Sequence, residues 1–253
     1  VNRDKVTGEF QYYPEGKVLF GTEMREVWIP DDGYVQVGYD SKSCQLRILG
    51  HYMKDEGYNE AVTTGDPHQR TADLGGIANR DIAKNSIYAL IFGAGDAKLA
   101  QTAGFKTARE GKKLRAQLLK GMPKLGKLMD DVARASRKGW LRGLDGRKLT
   151  IRGEHAALNL LIQGGEAVFM KVLTCILHAK LRALGWTKGD QPIYKKVGDF
   201  HDEAQQIIKD DEKYIELFRE LTIQSCREAN ELLGLTCPQE VDISVGRSWK
   251  ETH

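Results

Sequence analysis

Two short acidic motifs lie far apart in this chain, and each closes an apolar, strand-like run. The first is Val37-Gly38-Tyr39-Asp40-Ser41, followed by Gln45-Leu46-Arg47; the second is Val197-Gly198-Asp199-Phe200-His201-Asp202-Glu203. Carboxylates so distant in sequence act together only if the fold brings the two strand ends together. Two carboxylates joined in this way are the usual means of holding a pair of divalent metals. Each motif alone says little, because a lone Asp at a strand end is ordinarily a turn or a cap, and His-Asp-Glu between strands is ordinarily just a turn.

Composition narrows the class. With 253 residues the chain can form one large domain or two modest ones, each with a real core. Its 41% apolar and 29% charged residues are those of an ordinary globular protein. No apolar run approaches the roughly 18 to 20 residues of a membrane span, and no basic and apolar leader opens the chain. No membrane partner is therefore expected. Cys44, Cys175, Cys226 and Cys237 are scattered without a C-x-x-C pair, so neither a zinc site nor a disulfide framework is expected, and a reducing, cytoplasmic setting fits.

The net charge of +3 hides an asymmetry. Lys106 to Lys148 holds 14 basic against 4 acidic residues, whereas Asp199 to His253 holds 6 against 13. A basic middle beside an acidic segment suits a nucleic-acid channel next to a metal site. Taken alone, it equally suits a solvated helix face studded with lysines.

Periodicity and punctuation supply the elements. Tyr34–Tyr39 reads as a buried strand, and residues 43–52 as a helix with Leu46 and Leu49 on one side. Asp66 is placed to cap a helix beginning at Pro67. Residues 79–92 form the clearest helix, with Arg80, Lys84 and Tyr88 four apart on one face, and the Gly93-Ala94-Gly95 run ends it. Residues 96–138 read as two or three basic helices, and 140–152 as a hairpin turning at Asp145-Gly146. Residues 155–184 form a long apolar helix whose Gly164-Gly165 pair suggests close approach of another backbone. Residues 194–199 and 204–208 form a second hairpin, and 211–233 an amphipathic helix. Short strand-like pieces are expected within residues 1–33.

Val37–Ser41 with Leu46-Arg47, then Arg80-x-x-x-Lys84-x-x-x-Tyr88, then Val197–Glu203 resemble motifs A, B and C of the family A DNA polymerases, in order and from about Val18 onward. Gly143-Leu144-Asp145-Gly146-Arg147-Lys148 adds to the match. The resemblance implies an α+β fold: a right-hand polymerase palm on an antiparallel sheet, a helical fingers subdomain, and no thumb. Residues 1–53 and 154–253 would be palm, and 54–153 fingers.

The resemblance also implies template-directed DNA synthesis, with roles carried over position by position. Asp40 and Asp202, with the backbone carbonyl of Ser41, would hold two Mg²⁺ ions, with Mn²⁺ as a substitute; Glu203 is a neighbouring acid not counted among the ligands. Arg80 and Lys84 would grip the triphosphate of a dNTP, Lys84 with a catalytic role, and His68 would approach the same phosphates. Tyr88 would lie by the nucleotide sugar. Gln45 stands where the family usually has Glu, which bears on sugar selection, and Phe92 stands where it usually has Tyr, stacking near the templating base. Arg147, Arg152, Asn159 and Gln163, with His155, would touch the primer–template, as would His201. The 39 residues before Asp40 leave no room for a thumb or an exonuclease part. A subunit of a split polymerase, or a piece of a longer chain, needing a partner chain with thumb and 3′–5′ exonuclease parts, is therefore expected, in a bacterial host's cytoplasm if phage-encoded. Two other readings stand beside this one: a single-subunit phage-type RNA polymerase relative, and a non-catalytic DNA-binding accessory subunit.

Overall fold

Tyr34–Ser41 reads Tyr-Val-Gln-Val-Gly-Tyr-Asp-Ser, rich in β-branched and aromatic residues, and this strand anchors the sheet that positions the acidic motifs. The structure is a computed structural model that describes residues 2–3, 10–11 and 23–253. In chain order it begins with β1 (Asn2–Arg3) and β2 (Phe10–Gln11), which pair antiparallel, then α1 (Glu23–Glu26) and β3 (Tyr34–Ser41). The helices α2 (Cys44–Met53), α3 (Glu56–Thr63), α4 (Pro67–Gly75), α5 (Arg80–Ile91), α6 (Asp96–Thr102), α7 (Ala108–Gly121) and α8 (Pro123–Ser136) follow. Next come the hairpin β4 (Trp140–Arg142) and β5 (Lys148–Thr150), the long α9 (Ala157–Ala183), β6 (Tyr194–Phe200) and β7 (Glu203–Lys209). The chain then forms α10 (Glu212–Leu233), β8 (Val241–Gly246) and a 3-10 turn, Trp249–Thr252. Other strand-like pieces expected within residues 1–22 lie outside the described residues.

The chain forms two compact units, each drawing on separate stretches of sequence. The first comprises the described residues of Val1–Asp40 with Leu181–Arg219 and Asp242–His253. Its sheet runs β6-β7-β3-β8. β3 and β7 pair antiparallel from Tyr34 opposite Lys209 to Asp40 opposite Glu203, and β6 and β7 pair antiparallel with an irregularity between Lys196 and Gly198. Every residue of β3 except Asp40 is buried. Tyr194 stacks on Phe218 at 6.0 Å, and Val35, Val37, Ile208 and Ile215 are buried in the same unit. The sequence reading has no element at 241–246. The structure places β8 there, an edge strand in which exposed and half-buried residues alternate.

The second unit comprises Ser41–Lys180 and Glu220–Val241. Asp66 caps α4 by accepting from the backbone N–H groups of His68 and Gln69 at 2.9 and 3.0 Å, with Pro67 in the first turn. Asn79 caps α5 through Asp81 and Ile82, and Gly93, at φ +79, follows its end. The basic segment is three helices, α6 to α8; Thr107 and Glu110 form a capping box on α7. Gly146, at φ +84, turns the β4–β5 hairpin.

Two expectations need correction. The Gly164-Gly165 pair admits side chains rather than another backbone: a Cβ on Gly165 would lie 2.7 Å from the Ile48 Cγ2 methyl, and one on Gly164 would lie 3.1 Å from Leu149 Cδ1. In addition, α9 is long and apolar enough to cross a bilayer by length and composition, with a mean hydropathy of 1.6 over its most apolar stretch. Asn159, Gln163, Glu166 and Lys171 interrupt the run in sequence and hide it there. Half of that stretch is buried within the protein, as in a core helix.

Gly38 sits where β3 carries a close contact. A Cβ there would lie 2.5 Å from the carbonyl oxygen of Thr252 and closer still to the Gln205 amide nitrogen. Gly38→Ala is expected to lower stability by about 1–3 kcal/mol through this overpacking. Thermal unfolding against wild type checks it, and an unchanged midpoint would show that the sheet end yields.

Candidate active site

Register builds the acidic cluster. The antiparallel pairing of β3 and β7 sets Asp40 directly across from Glu203. Asp202 precedes Glu203 in the two-residue turn between β6 and β7, and β8 carries Asp242 beside β3. His201 makes that turn in the left-handed region, at φ +57. A cleft of about 330 Å³ opens here, lined by Gly38, Asp40, Glu203, Asp242, Ser244, Thr252 and His253.

The electrostatics follow from crowding. The Asp40 carboxyl is pushed up from 3.8 to about 6, first by loss of water within the cleft and then by the charges of Asp202, Glu203 and Asp242; His253 pulls the other way. By surface area Asp40 is exposed, so desolvation comes from the concave walls rather than from enclosure. No protein donor among the described residues hydrogen-bonds to the carboxylate of Asp40 or Asp202. Glu203 differs. It is buried at 5% exposure, its Oε1 accepts from Gln205 Nε2 and Trp249 Nε1 at 2.6 Å each, and its Oε2 meets His253 Nδ1 at 2.6 Å.

The donor set fits a hard dication. Two carboxylates with no donor among the described residues, the charge of Asp202 raising the pKa of Asp40, are what Mg²⁺ or Mn²⁺ would relieve. Among the described residues no group of three or more His, Cys, Asp or Glu side chains forms a protein-only metal cage. Magnesium sites commonly use one or two carboxylates, with water and substrate phosphates completing the shell. Ser41, the third expected ligand, is buried, and its Oγ donates to Gln239 Oε1 at 3.1 Å.

In the second unit, α4 and α5 gather a different group. Arg80 Nε pairs with Asp66 Oδ2 at 2.6 Å, so the residue that caps α4 also holds the guanidinium. His68 is buried, and burial followed by the nearby charges of Arg80 and Lys84 lowers its pKa, favouring the neutral ring. Its Nδ1 has no partner among the described residues. Tyr88 lies 6.2 Å from the His68 ring and 5.8 Å from Phe92, so the three rings form a row. Lys84 is exposed and Gln45 is half-buried in the first turn of α2.

The remaining expected positions are spread along the hairpin and α9. Arg147 is exposed and tied to Asp145 at 2.5 Å, and Arg152 and Gln163 are exposed. Asn159 lies one turn before Gln163, and its buried Oδ1 has no partner among the described residues. Sequence reasoning missed Gln205, Asp242, Trp249 and His253. The alternation of Val241-Asp242-Ile243-Ser244-Val245 could have revealed β8, but nothing in the sequence signals that Trp249 and His253 reach Glu203.

Known proteins resemble this arrangement. The family model for DNA polymerase family A matches residues 11–251. The chain belongs to DNA polymerase family A. Among its relatives is the DNA-directed DNA polymerase of Escherichia phage Phieco32, 31% identical over 99% of this chain and 43% of the relative. The DNA-directed DNA polymerase of Escherichia phage T7 is 28% identical over 96% of this chain and 37% of its own length. The chain thus spans about two fifths of the length of these family A relatives. In three dimensions it resembles the POL domain of Pol1 from M. smegmatis, a structure in complex with DNA primer-template and dNTP, with a TM-score of 0.80 and 23% identity over 92% of this chain and 43% of that one. That likeness shows the fold: antiparallel strand pairs with many helices, as in a family A polymerase domain.

The raised Asp40 pKa has a signed consequence. The folded state binds this proton more tightly than the unfolded chain, so stability falls as pH rises from about 4 to about 6 and stays lowered above that. Asp40→Asn is expected to stabilise the metal-free protein near neutral pH by about 1–2 kcal/mol, after discounting the shift for solvent screening. The gain should shrink toward zero as pH falls to about 4. Denaturant unfolding across this range tests it, and a gain independent of pH would contradict the electrostatic cause.

Proposed function

We propose that this chain carries the palm and fingers parts of a template-directed DNA polymerase, transferring a nucleotide from a dNTP to a primer 3′-hydroxyl. One observation carries the reading: Asp40 and Asp202 lie at one end of the same sheet with carboxylates that no donor among the described residues takes, while the neighbouring Glu203 accepts from Gln205, Trp249 and His253. Asp40 and Asp202, with the Ser41 carbonyl, would hold two Mg²⁺ ions. Bound there, the metals would lower the pKa of the attacking hydroxyl and neutralise the triphosphate and leaving pyrophosphate.

In the second unit, residues of α4 and α5 would serve nucleotide binding. The Arg80 guanidinium, held ready by Asp66, offers fork geometry to phosphate oxygens, and Lys84 adds a mobile point charge. Kept neutral, His68 can hydrogen-bond a phosphate without holding the leaving group too tightly. Tyr88 and Phe92 provide ring faces for the sugar and the templating base, and Gln45 can hydrogen-bond near the sugar without the charge of a Glu. Arg147, Arg152, Asn159, Gln163 and His201 would contact the primer–template, Arg and Gln through minor-groove acceptors shared by all correct pairs.

The resemblance to family A polymerases suggests that this chain works together with thumb and 3′–5′ exonuclease parts, proposed here to lie on a partner chain. The phage relatives favour action in the cytoplasm of a bacterial host. Arg80-x-x-x-Lys84-x-x-x-Tyr88 followed by Phe92 favours deoxynucleotides over the substrates of an RNA polymerase relative.

Primer extension, alone and with the candidate partner, tests this. Asp40→Ala and Asp202→Ala are each expected to reduce extension by about a thousandfold or more, since several kcal/mol of charge stabilisation is lost. Both should also abolish Mn²⁺ binding measured without DNA. Extension that survives both substitutions would move the reading to a DNA-binding accessory subunit.

A further inference from the structure

The register that brings Asp40 and Asp202 together also creates a competitor. Glu203, directly across from Asp40, is the acid nearest to it by strand pairing, and it adjoins the cleft. A free carboxylate there would join the metal shell. It is not free. Trp249 Nε1 and Gln205 Nε2 both donate to its Oε1, and His253, with the proton on Nδ1, donates to its Oε2. A second tier holds the donors. Thr252 Oγ1 and Gln36 Nε2 both donate to Gln205 Oε1, at 2.9 and 2.8 Å, which orients the amide so that its nitrogen faces Glu203. The Trp249 ring stacks on Phe200 at 4.5 Å and 22°, with the Arg25 guanidinium 5.4 Å from its centre, and its backbone N–H donates to the Trp28 carbonyl at 3.0 Å.

We infer that Trp249 and His253 are positioning residues that clamp Glu203 out of the metal shell, so that the β6–β7 turn offers Asp202 alone opposite Asp40. This rests on the metal-site reading above. The physical case is one of competition: a buried carboxylate with three donors has little to gain from a dication, whereas one stripped of a donor gains much. A third carboxylate would bind dications more tightly and suit the larger shell of Ca²⁺ better than the tight octahedron of Mg²⁺.

The test uses the intact chain and direct titration with Mn²⁺ and Ca²⁺, without DNA or nucleotide. Trp249→Phe keeps an aromatic ring beside Phe200 while removing the indole N–H with its pyrrole part, and His253→Ala alters a half-exposed side chain, so neither should unfold the protein. Both are expected to tighten Mn²⁺ and Ca²⁺ binding by about tenfold, a typical size for changes behind a metal shell. Adding Glu203→Gln should return the affinity to that of wild type. Unchanged or weaker binding in both variants, or tightening that survives Glu203→Gln, would overturn the clamp. Asp40→Ala in the same titration separates the two levels: if it binds as wild type does, the metal-site reading itself fails.

Discussion

Pairing register between β3 and β7 is the constraint on which the site depends. Strand side chains alternate faces, so a one-residue slip would turn Asp40 away from Glu203 and exchange the side chains that the two buried faces of β3 present to their neighbours. Burial of all the other residues of β3 therefore fixes where Asp40 stands. The hydrophobic core and the acidic cluster are two consequences of one alignment, and neither can shift without the other.

That alignment concentrates negative charge, and the fold answers it in two ways. Glu203 is supplied with donors from β7, Trp249 and His253, which makes a buried carboxylate tolerable. Among the described residues Asp40 and Asp202 receive no such donors, and loss of water with the charges of Asp202, Glu203 and Asp242 raises the Asp40 pKa. In the second unit the logic is reversed: Arg80 is restrained by an acid that already serves as a helix cap, so one Asp66 side chain both caps α4 and holds the guanidinium.

Much of this was legible from residue patterns. Asp66-Pro67 announced the start of α4, Asp145-Gly146 the β4–β5 turn, and the spacing of Arg80, Lys84 and Tyr88 the exposed face of α5, because caps, turns and helical periodicity are local. The close of the two acidic motifs on one sheet was suggested by their order and resemblance, not by any local signal. What escaped was long-range or conditional. The edge strand β8 hides in a short run with only half its residues covered, and the span-length apolarity of α9 is broken up by polar residues. Trp249 and His253 reach Glu203 only after the sheet has formed, and no propensity records such a contact.

The most direct measurement is iron-mediated cleavage of the chain. Fe²⁺ replaces Mg²⁺ at oxygen-ligand sites, and with ascorbate and peroxide it cuts the backbone beside itself. If Asp40 and Asp202 together hold the metal, cuts should fall within β3 near Asp40 and at the β6–β7 turn near Asp202, and excess Mg²⁺ should suppress both. Cuts at only one of these places, or elsewhere in the chain, would contradict a metal site built from two distant strand ends.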